Sequence, residues 1–116
     1  MKILFSIFIL FGALFNFNSL YAKGEHIAFF AASSENGFNQ AVYEGVAAKA
    51  KEMGATSKMF NGEFNAVVQA QQIEDAIASQ EFDGFVVLPN DSVGIASFVK
   101  EAIDAGIPTS TTLFPI

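Results

Sequence analysis

The chain is 116 residues long, which by length alone allows at most one small domain. Apolar residues make up 52% of it, enough for a hydrophobic core and too many for a disordered chain. It has no Cys, and six Lys without any Arg leave a net charge of −6. This composition excludes disulfides, thiolate metal sites and a cysteine nucleophile, and it disfavours nucleic acid as a partner.

The first segment has the pattern of an export signal. Lys2 supplies a positive start, residues 3–15 are almost all Leu, Ile and Phe, and Ala22 is a small residue suited to cleavage. The apolar run is shorter than the roughly 20 residues that a membrane-spanning helix needs. We therefore predict a cleavable signal peptide over 1–22, a periplasmic location and a mature chain over 23–116, with an uncleaved anchor as the alternative.

The rest of the chain alternates short apolar runs with stretches of helical periodicity. Strands are predicted at 27–32, 57–61, 82–89 and 109–114. Between them lie helices at 39–53 and 66–80 and a third helix that ends at Gly106. Their apolar stripes are Val42, Val46, Ala50 and Met53; Ala66, Ala70, Ile73 and Ile77; and Ile95, Val99, Ala102 and Ile103. The order β-α-β-α-β-α-β predicts a doubly wound parallel α/β sheet with right-handed crossovers.

Three strand-to-helix turns fall at the carboxyl edge of this predicted sheet, at 33–38, 61–65 and 89–92. They are rich in Ser, Asn, Glu and Asp, and Phe38 adds an aromatic ring. A neutral polyhydroxylated ligand suits this mixture, because each sugar hydroxyl both donates and accepts and a ring can lie against an apolar sugar face. A ligand crevice at this edge is the expected arrangement for an open α/β sheet.

Each of these residues also has a purely structural interpretation. Asn36 can cap the first helix, Phe38 can plug the helix entrance against the core, and Asp91 or Ser92 can cap the third helix. Asn61 and Asn90 are typical turn residues. Gln69 and Gln72 on the second helix are predicted to face solvent or an interface.

Motifs for catalysis are absent from the sequence. No dinucleotide-binding Gly pattern, P-loop or nucleophile-elbow Ser occurs, and we predict neither a cofactor nor a bound metal. The one His, His26, precedes the first strand and so lies away from the turn edge. The sequence therefore favours a binding protein over an enzyme.

At this point the residues resemble a known family. The segments 27–38, 44–45, 54–55, 69–74, 82–91 and 105–108 are similar, in order, to type I periplasmic sugar-binding proteins of the ribose- and galactose-binding group. This resemblance implies two α/β lobes that close on a sugar and deliver it to an ABC permease. Some members of the family instead present their ligand to a chemoreceptor or sensor kinase.

The resemblance also implies roles for individual residues. Asn36 and Phe38 fall on ligand positions of the first lobe, as a polar contact and an aromatic stack, while Asn39 stands where ribose binders often carry a second aromatic. Many sugar binders place an acidic or amide residue after the fourth strand, where this chain has Phe114, which could line a more apolar pocket. Ser33, Asn90 and Asp91 complete the predicted ligand-binding set.

The predicted function is that of a periplasmic solute-binding protein of an ABC transporter, with a sugar or similar polar molecule as ligand. Family members run to roughly 300 residues, as two domains of typical size do, so we expect residues 23–116 to be a truncated N-terminal lobe. Two alternatives stay open. One is a sensory protein of the same fold that feeds a chemoreceptor or sensor kinase, and the other is an exported α/β enzyme whose catalytic residues lie beyond 116.

Overall fold

Strands and helices alternate along the part of the chain that the computed structural model describes, residues 24–112. The elements are β1 (His26–Ala31), α1 (Gly37–Glu52), β2 (Thr56–Asn61), α2 (Ala66–Ser79), β3 (Gly84–Val87), α3 (Ala96–Asp104) and β4 (Thr109–Thr111). The predicted order is confirmed. The third strand is shorter than predicted, and the predicted end of the fourth strand lies outside the described residues.

The four strands form one parallel sheet in the order β2-β1-β3-β4. In this register Phe29 of β1 lies opposite Met59 of β2 and Val86 of β3. The successive residues Phe29 and Phe30 of β1 point to opposite faces and are both fully buried, as expected for a central strand covered on both faces. The prediction of a doubly wound α/β sheet is therefore confirmed.

Helices cover the two faces of the sheet with separate apolar clusters. On one face α1 packs on β1 and β2, and Phe29 meets the ring of Tyr43 with 5.6 Å between ring centroids. On the other face α2 and α3 pack against each other over Phe30, Phe85 and Ile73. The Phe30 ring meets the Phe85 ring edge-on, at 4.9 Å between centroids, so adjacent strands share one aromatic core.

The helix ends follow the predicted chemistry at most positions. Asn36 caps α1, and its Oδ1 accepts from the backbone N–H groups two and three residues further on, at 2.8 and 3.3 Å. Asn65 caps α2 in the same way, at 2.9 and 3.2 Å. Gly54 and Gly106 follow α1 and α3 with φ of 77° and 85°, a left-handed geometry that favours glycine.

The predicted cap of the third helix is wrong. Helix α3 begins at Ala96, and Ile95 precedes it without any side-chain cap bond. Asp91 instead closes the turn before the helix, because its Oδ1 accepts from the Val93 N–H at 3.0 Å and its carbonyl accepts from the Ile95 N–H at 3.0 Å.

The predicted burial of three members of the apolar stripes is also wrong. Met53, at the C-terminal end of α1, is 71% exposed, and Ile103, in the last turn of α3, is 54% exposed. Ala66 at the start of α2 is exposed as well. Each of the three lies at a helix end. Within residues 24–112, no helix combines the length and the apolar character needed to cross a membrane.

Two isoleucines that the sequence pattern places on apolar stripes should differ in their contribution to stability, because they differ in burial. Ile73 is fully buried and Ile103 is more than half exposed. We expect Ile73→Ala to lower the free energy of unfolding by about 2–5 kcal/mol through lost burial and a new cavity. Ile103→Ala, the matched control, should change it by less than about 0.5 kcal/mol. Urea denaturation followed by circular dichroism measures both, and equal losses would contradict this placement of the core.

Candidate ligand-binding edge

The carboxyl ends of β1, β2 and β3 meet at one edge of the sheet, since the strands are parallel. We call this the carboxyl edge, and it carries turn 1 (32–36), turn 2 (62–65) and turn 3 (88–95). From β1 the chain crosses one face of the sheet through α1, and from β3 it crosses the other face through α3. The strand order therefore reverses direction between β1 and β3, and open α/β sheets bind ligands in the crevice at that point.

One buried side chain ties β1 to β3 beneath this crevice. Gln69 of α2 is fully buried, and its Nε2 lies 3.2 Å from the carbonyl oxygen of Phe30, 3.4 Å from that of Ala31 and 2.8 Å from that of Leu88. Its Oε1 accepts from the backbone N–H of Asn90 at 2.9 Å. The amide thus satisfies the Leu88 carbonyl and the Asn90 N–H, which have no other partner among residues 24–112. It adds a second partner to the Phe30 and Ala31 carbonyls.

Turn 1 is held by side chains from two other elements. Asn39 is buried on α1, and its Oδ1 accepts from the Ala32 N–H at 3.2 Å. Asn61, at the end of β2, accepts from the Ser34 N–H at 2.9 Å through its Oδ1. These bonds fix the course of the chain between β1 and the cap residue Asn36.

Turn 2 packs tightly against the end of β1. A Cβ at Gly62 would lie 2.5 Å from the carbonyl oxygen of Ala31 and 2.9 Å from that of Ala32, so no larger residue fits without a shift. The Phe64 N–H donates to the Ala32 carbonyl at 2.8 Å, and the Glu63 N–H donates to Asn61 Oδ1 at 2.9 Å. Turns 1 and 2 therefore form one hydrogen-bonded surface.

Two of the predicted ligand-binding residues point their polar groups into the protein. Ser33 is 2% exposed, and its Oγ accepts from the Glu35 N–H at 3.1 Å. Asn90 is partly buried, and its Nδ2 donates to the Ala32 carbonyl at 3.1 Å. Asn90 thus joins turn 3 to turn 1, whereas Ser33 stabilises turn 1 from within, and these bonds engage groups that a ligand would use.

Three other predicted residues lie at the surface of the carboxyl edge. Asn36 is exposed, and its Nδ2 has no protein partner among residues 24–112. Phe38 is 53% exposed, so the structure does not support its role as a plug of the helix entrance. Asp91 is exposed in turn 3. The sixth predicted residue, Phe114, lies outside the described residues.

Sequence reasoning missed three residues of this edge. The prediction that Gln69 faces solvent or an interface is wrong, although its spacing of four from Ile73 places it on the buried stripe. Gln72 is partly buried and donates to the Asn61 carbonyl at 2.7 Å. Phe64 is 64% exposed in turn 2, and the signal for it was an aromatic residue flanked on both sides by polar turn residues.

The opposite edge of the sheet also carries polar groups. No group of His, Cys, Asp and Glu within 24–112 is arranged to hold a metal ion. A depression of about 490 Å³ lies at the opposite edge of the sheet and is lined by Glu25, His26, Glu81 and Asp83 among others. Its clustered carboxylates suit a neutral sugar less well than the mixed donors and acceptors of the carboxyl edge.

Comparison with protein families finds one match over most of the chain. A family model described as a periplasmic binding protein domain matches residues 27–112. None of the curated proteins compared with the chain matches it.

Three solved structures with the same fold are each considerably longer than this chain. An ABC transporter solute-binding protein from Mycobacterium smegmatis with bound glycerol is 22% identical with a TM-score of 0.71, over 81% of this chain and 32% of its own. One from Agrobacterium vitis with bound allitol is 27% identical with a TM-score of 0.68, over 78% and 31%. A second from Agrobacterium vitis, bound with α-D-tagatopyranose, is 28% identical with a TM-score of 0.68, over 75% and 29%. The chain thus spans about a third of the length of these relatives.

The buried amide of Gln69 should contribute more to stability than an exposed glutamine of the same helix. Gln69→Leu leaves the Asn90 N–H and the Leu88 carbonyl without their partner, and we expect a loss of about 1–3 kcal/mol in the free energy of unfolding. Gln71 is exposed and donates only to Asp75, so Gln71→Leu should cost less than about 0.5 kcal/mol.

Urea denaturation measures both variants, and hydrogen exchange adds a local readout for Gln69→Leu. The Asn90 amide should exchange faster in that variant even where the protein is fully folded. Equal stability of the two variants, with unchanged exchange at Asn90, would show that the amide does not hold the strand ends.

Proposed function

Because the chain belongs to the periplasmic binding protein domain family, we propose that it forms one wall of a solute-binding site for a sugar or related polyol. The observation that carries this proposal is the outward-facing set at the crevice between β1 and β3. It consists of the unpartnered Asn36 amide nitrogen, the exposed Phe38 ring and the exposed Asp91 carboxylate. Together they offer donors, acceptors and an apolar face, which is what a polyhydroxylated molecule needs.

Two relatives support this class of ligand. The Agrobacterium vitis proteins, at 27% and 28% identity, hold allitol and α-D-tagatopyranose. An open-chain polyol and a sugar ring share a dense array of hydroxyls on a short carbon skeleton. Recognition by amide and carboxylate groups fits both, since each hydroxyl both donates and accepts a hydrogen bond.

The wider role that we propose is delivery of the ligand to an ABC permease, by analogy with the relatives. They are ABC transporter solute-binding proteins, and the chain spans about a third of their length. The carboxyl edge offers one wall, so a second lobe would supply the opposite wall and close over the ligand. Closure follows ligand binding only when the closed form binds more tightly than the open one. In this account the protein binds and releases its ligand unchanged.

We further propose that residues 1–22 direct export to the periplasm and are removed there, so that residues 23–116 form the N-terminal lobe. The family supports a periplasmic location. The export signal itself rests on the positive start, the apolar run of 3–15 and the small residue Ala22.

Export makes a prediction about the mass of the mature protein. When the gene is expressed in a Gram-negative host, the periplasmic form should begin at Lys23, as read from its intact mass. Ala22→Phe replaces the small residue that cleavage needs and should leave the precursor uncut. Lys23→Gln, the neighbouring control, should be processed normally. A periplasmic protein that retains Met1, or a product confined to the cytoplasm, would contradict export with cleavage.

The amide nitrogen of Asn36 gives a direct test of the binding role. Ser caps a helix about as well as Asn, so Asn36→Ser keeps the cap and removes only the free donors. We expect allitol and D-tagatose to bind about twofold to tenfold more weakly, the value of one hydrogen bond of about 0.5–1.5 kcal/mol. Ligand-observed saturation-transfer NMR suits the weak affinity expected of a single wall.

The same substitution at Asn65, the cap of α2, distinguishes an effect on ligand binding from an effect on stability. Asn65→Ser reports the cost of swapping the cap alone, and both variants should unfold within about 0.5 kcal/mol of the parent chain. Unchanged affinity in Asn36→Ser would remove Asn36 from the site. Failure of the parent chain to bind either compound would count against a sugar or polyol ligand altogether.

A further inference from the structure

Exposed apolar side chains are concentrated at the carboxyl edge. Of the large apolar residues that are exposed within 24–112, four lie at or beside the three turns, and two lie elsewhere. The four are Phe38, Phe64, Val67 and Val93, and the others are Met53 and Ile103. Single exposed apolar residues are common on protein surfaces. Phe64 differs from the others in its own backbone conformation.

Phe64 has a backbone conformation that non-glycine residues rarely adopt. It and the preceding Glu63 have φ of 52° and 55°, two successive left-handed residues that both carry side chains. Hydrogen bonds from Glu63 to Asn61, from Phe64 to Ala32 and from Asn65 to Gly62, at 2.8–2.9 Å, hold this shape. Three hydrogen bonds therefore fix the backbone position of Phe64.

The ring that is fixed in this way contributes to no apolar core. Phe64 is 64% exposed and belongs to neither apolar cluster, and among the described residues its ring pairs with no other. A strained backbone that holds a large aromatic ring in solvent does not add to the stability of the folded protein. Such strain at a surface edge points to a contact with another molecule.

We infer that Phe64 is a second aromatic contact for the sugar or polyol, a step that rests on the proposed function. The Phe64 N–H is bonded to the Ala32 carbonyl, and Ala32 opens the turn that leads to Asn36 and Phe38. Turn 2 therefore borders the crevice from the β2 side, while Phe38 borders it at the start of α1. Two rings along one crevice select ligands that present C–H faces as well as hydroxyls.

The surroundings of Phe64 favour a small ligand over a protein partner. Its neighbours in the chain are the polar residues Glu63 and Asn65, both exposed, so hydrogen-bonding groups flank the ring on both sides. The centre of a protein–protein interface is enriched in apolar residues and depleted of charge. One ring between hydrogen-bonding groups is instead the chemistry that carbohydrate recognition uses.

Exchange of the ring should weaken ligand binding without unfolding the protein. Phe64→Asn suits the test, because Asn tolerates the left-handed backbone better than most residues. In protein purified from the periplasm, we expect D-tagatose and allitol to bind about threefold to tenfold more weakly by ligand-observed NMR. Phe64→Trp keeps an aromatic face and should retain binding. Met53→Ala removes a side chain that is 71% exposed at the far end of α1, and should leave binding unchanged.

The outcomes separate this inference from the proposed function. If the parent chain binds and Phe64→Asn binds equally well while still folded by circular dichroism, the inference is overturned, the proposed function stands and Phe64 serves a protein partner or none. If the parent chain binds neither compound, the proposed function fails and the inference fails with it. Weaker binding in Phe64→Asn, restored by Phe64→Trp, supports the inference.

Discussion

The architecture of the carboxyl edge depends on one buried amide. Gln69 extends from α2 to the point between β1 and β3 and bonds to three carbonyl oxygens and one N–H group. The Leu88 carbonyl and the Asn90 N–H have no other partner among residues 24–112, and a buried group without a partner costs about 1–3 kcal/mol. The amide removes that cost. By doing so it holds the end of β1 beside the start of turn 3.

The polar residues of this edge divide into two groups with different roles. Ser33, Asn39, Asn61 and Asn90 turn inward and bond to backbone groups of the turns. Their bonds make the edge rigid, and rigidity lowers the cost of binding because little remains to be ordered. The outward group includes Asn36 and Asp91, and the exposed rings of Phe38 and Phe64 lie at the same edge. A count of polar residues in the turns therefore overstates what is free to meet a ligand.

The sequence was enough to predict the architecture, the cap residue Asn36 and the edge at which the turns gather. Those features depend on local periodicity and turn chemistry, which a single sequence displays. The role of Gln69 depends on strand ends that approach it only in the folded chain. Because its side chain is polar, the sequence predicted an exposed position rather than a buried one. Met53 and Ile103 fit the apolar stripes by spacing, yet each lies at the end of its helix and is exposed. Two left-handed residues at Glu63 and Phe64 have no sequence signature, since neither is Gly or Asn.

The central claim is that a polyhydroxylated ligand binds over the ends of β1 and β3. The most direct measurement is a map of amide chemical-shift changes in the ¹⁵N-labelled protein as D-tagatose is added. The account predicts changes confined to turns 1, 2 and 3 and to the first turn of α1. Changes at the opposite edge, around Glu25, His26, Glu81 and Asp83, or no changes at any concentration, would contradict it.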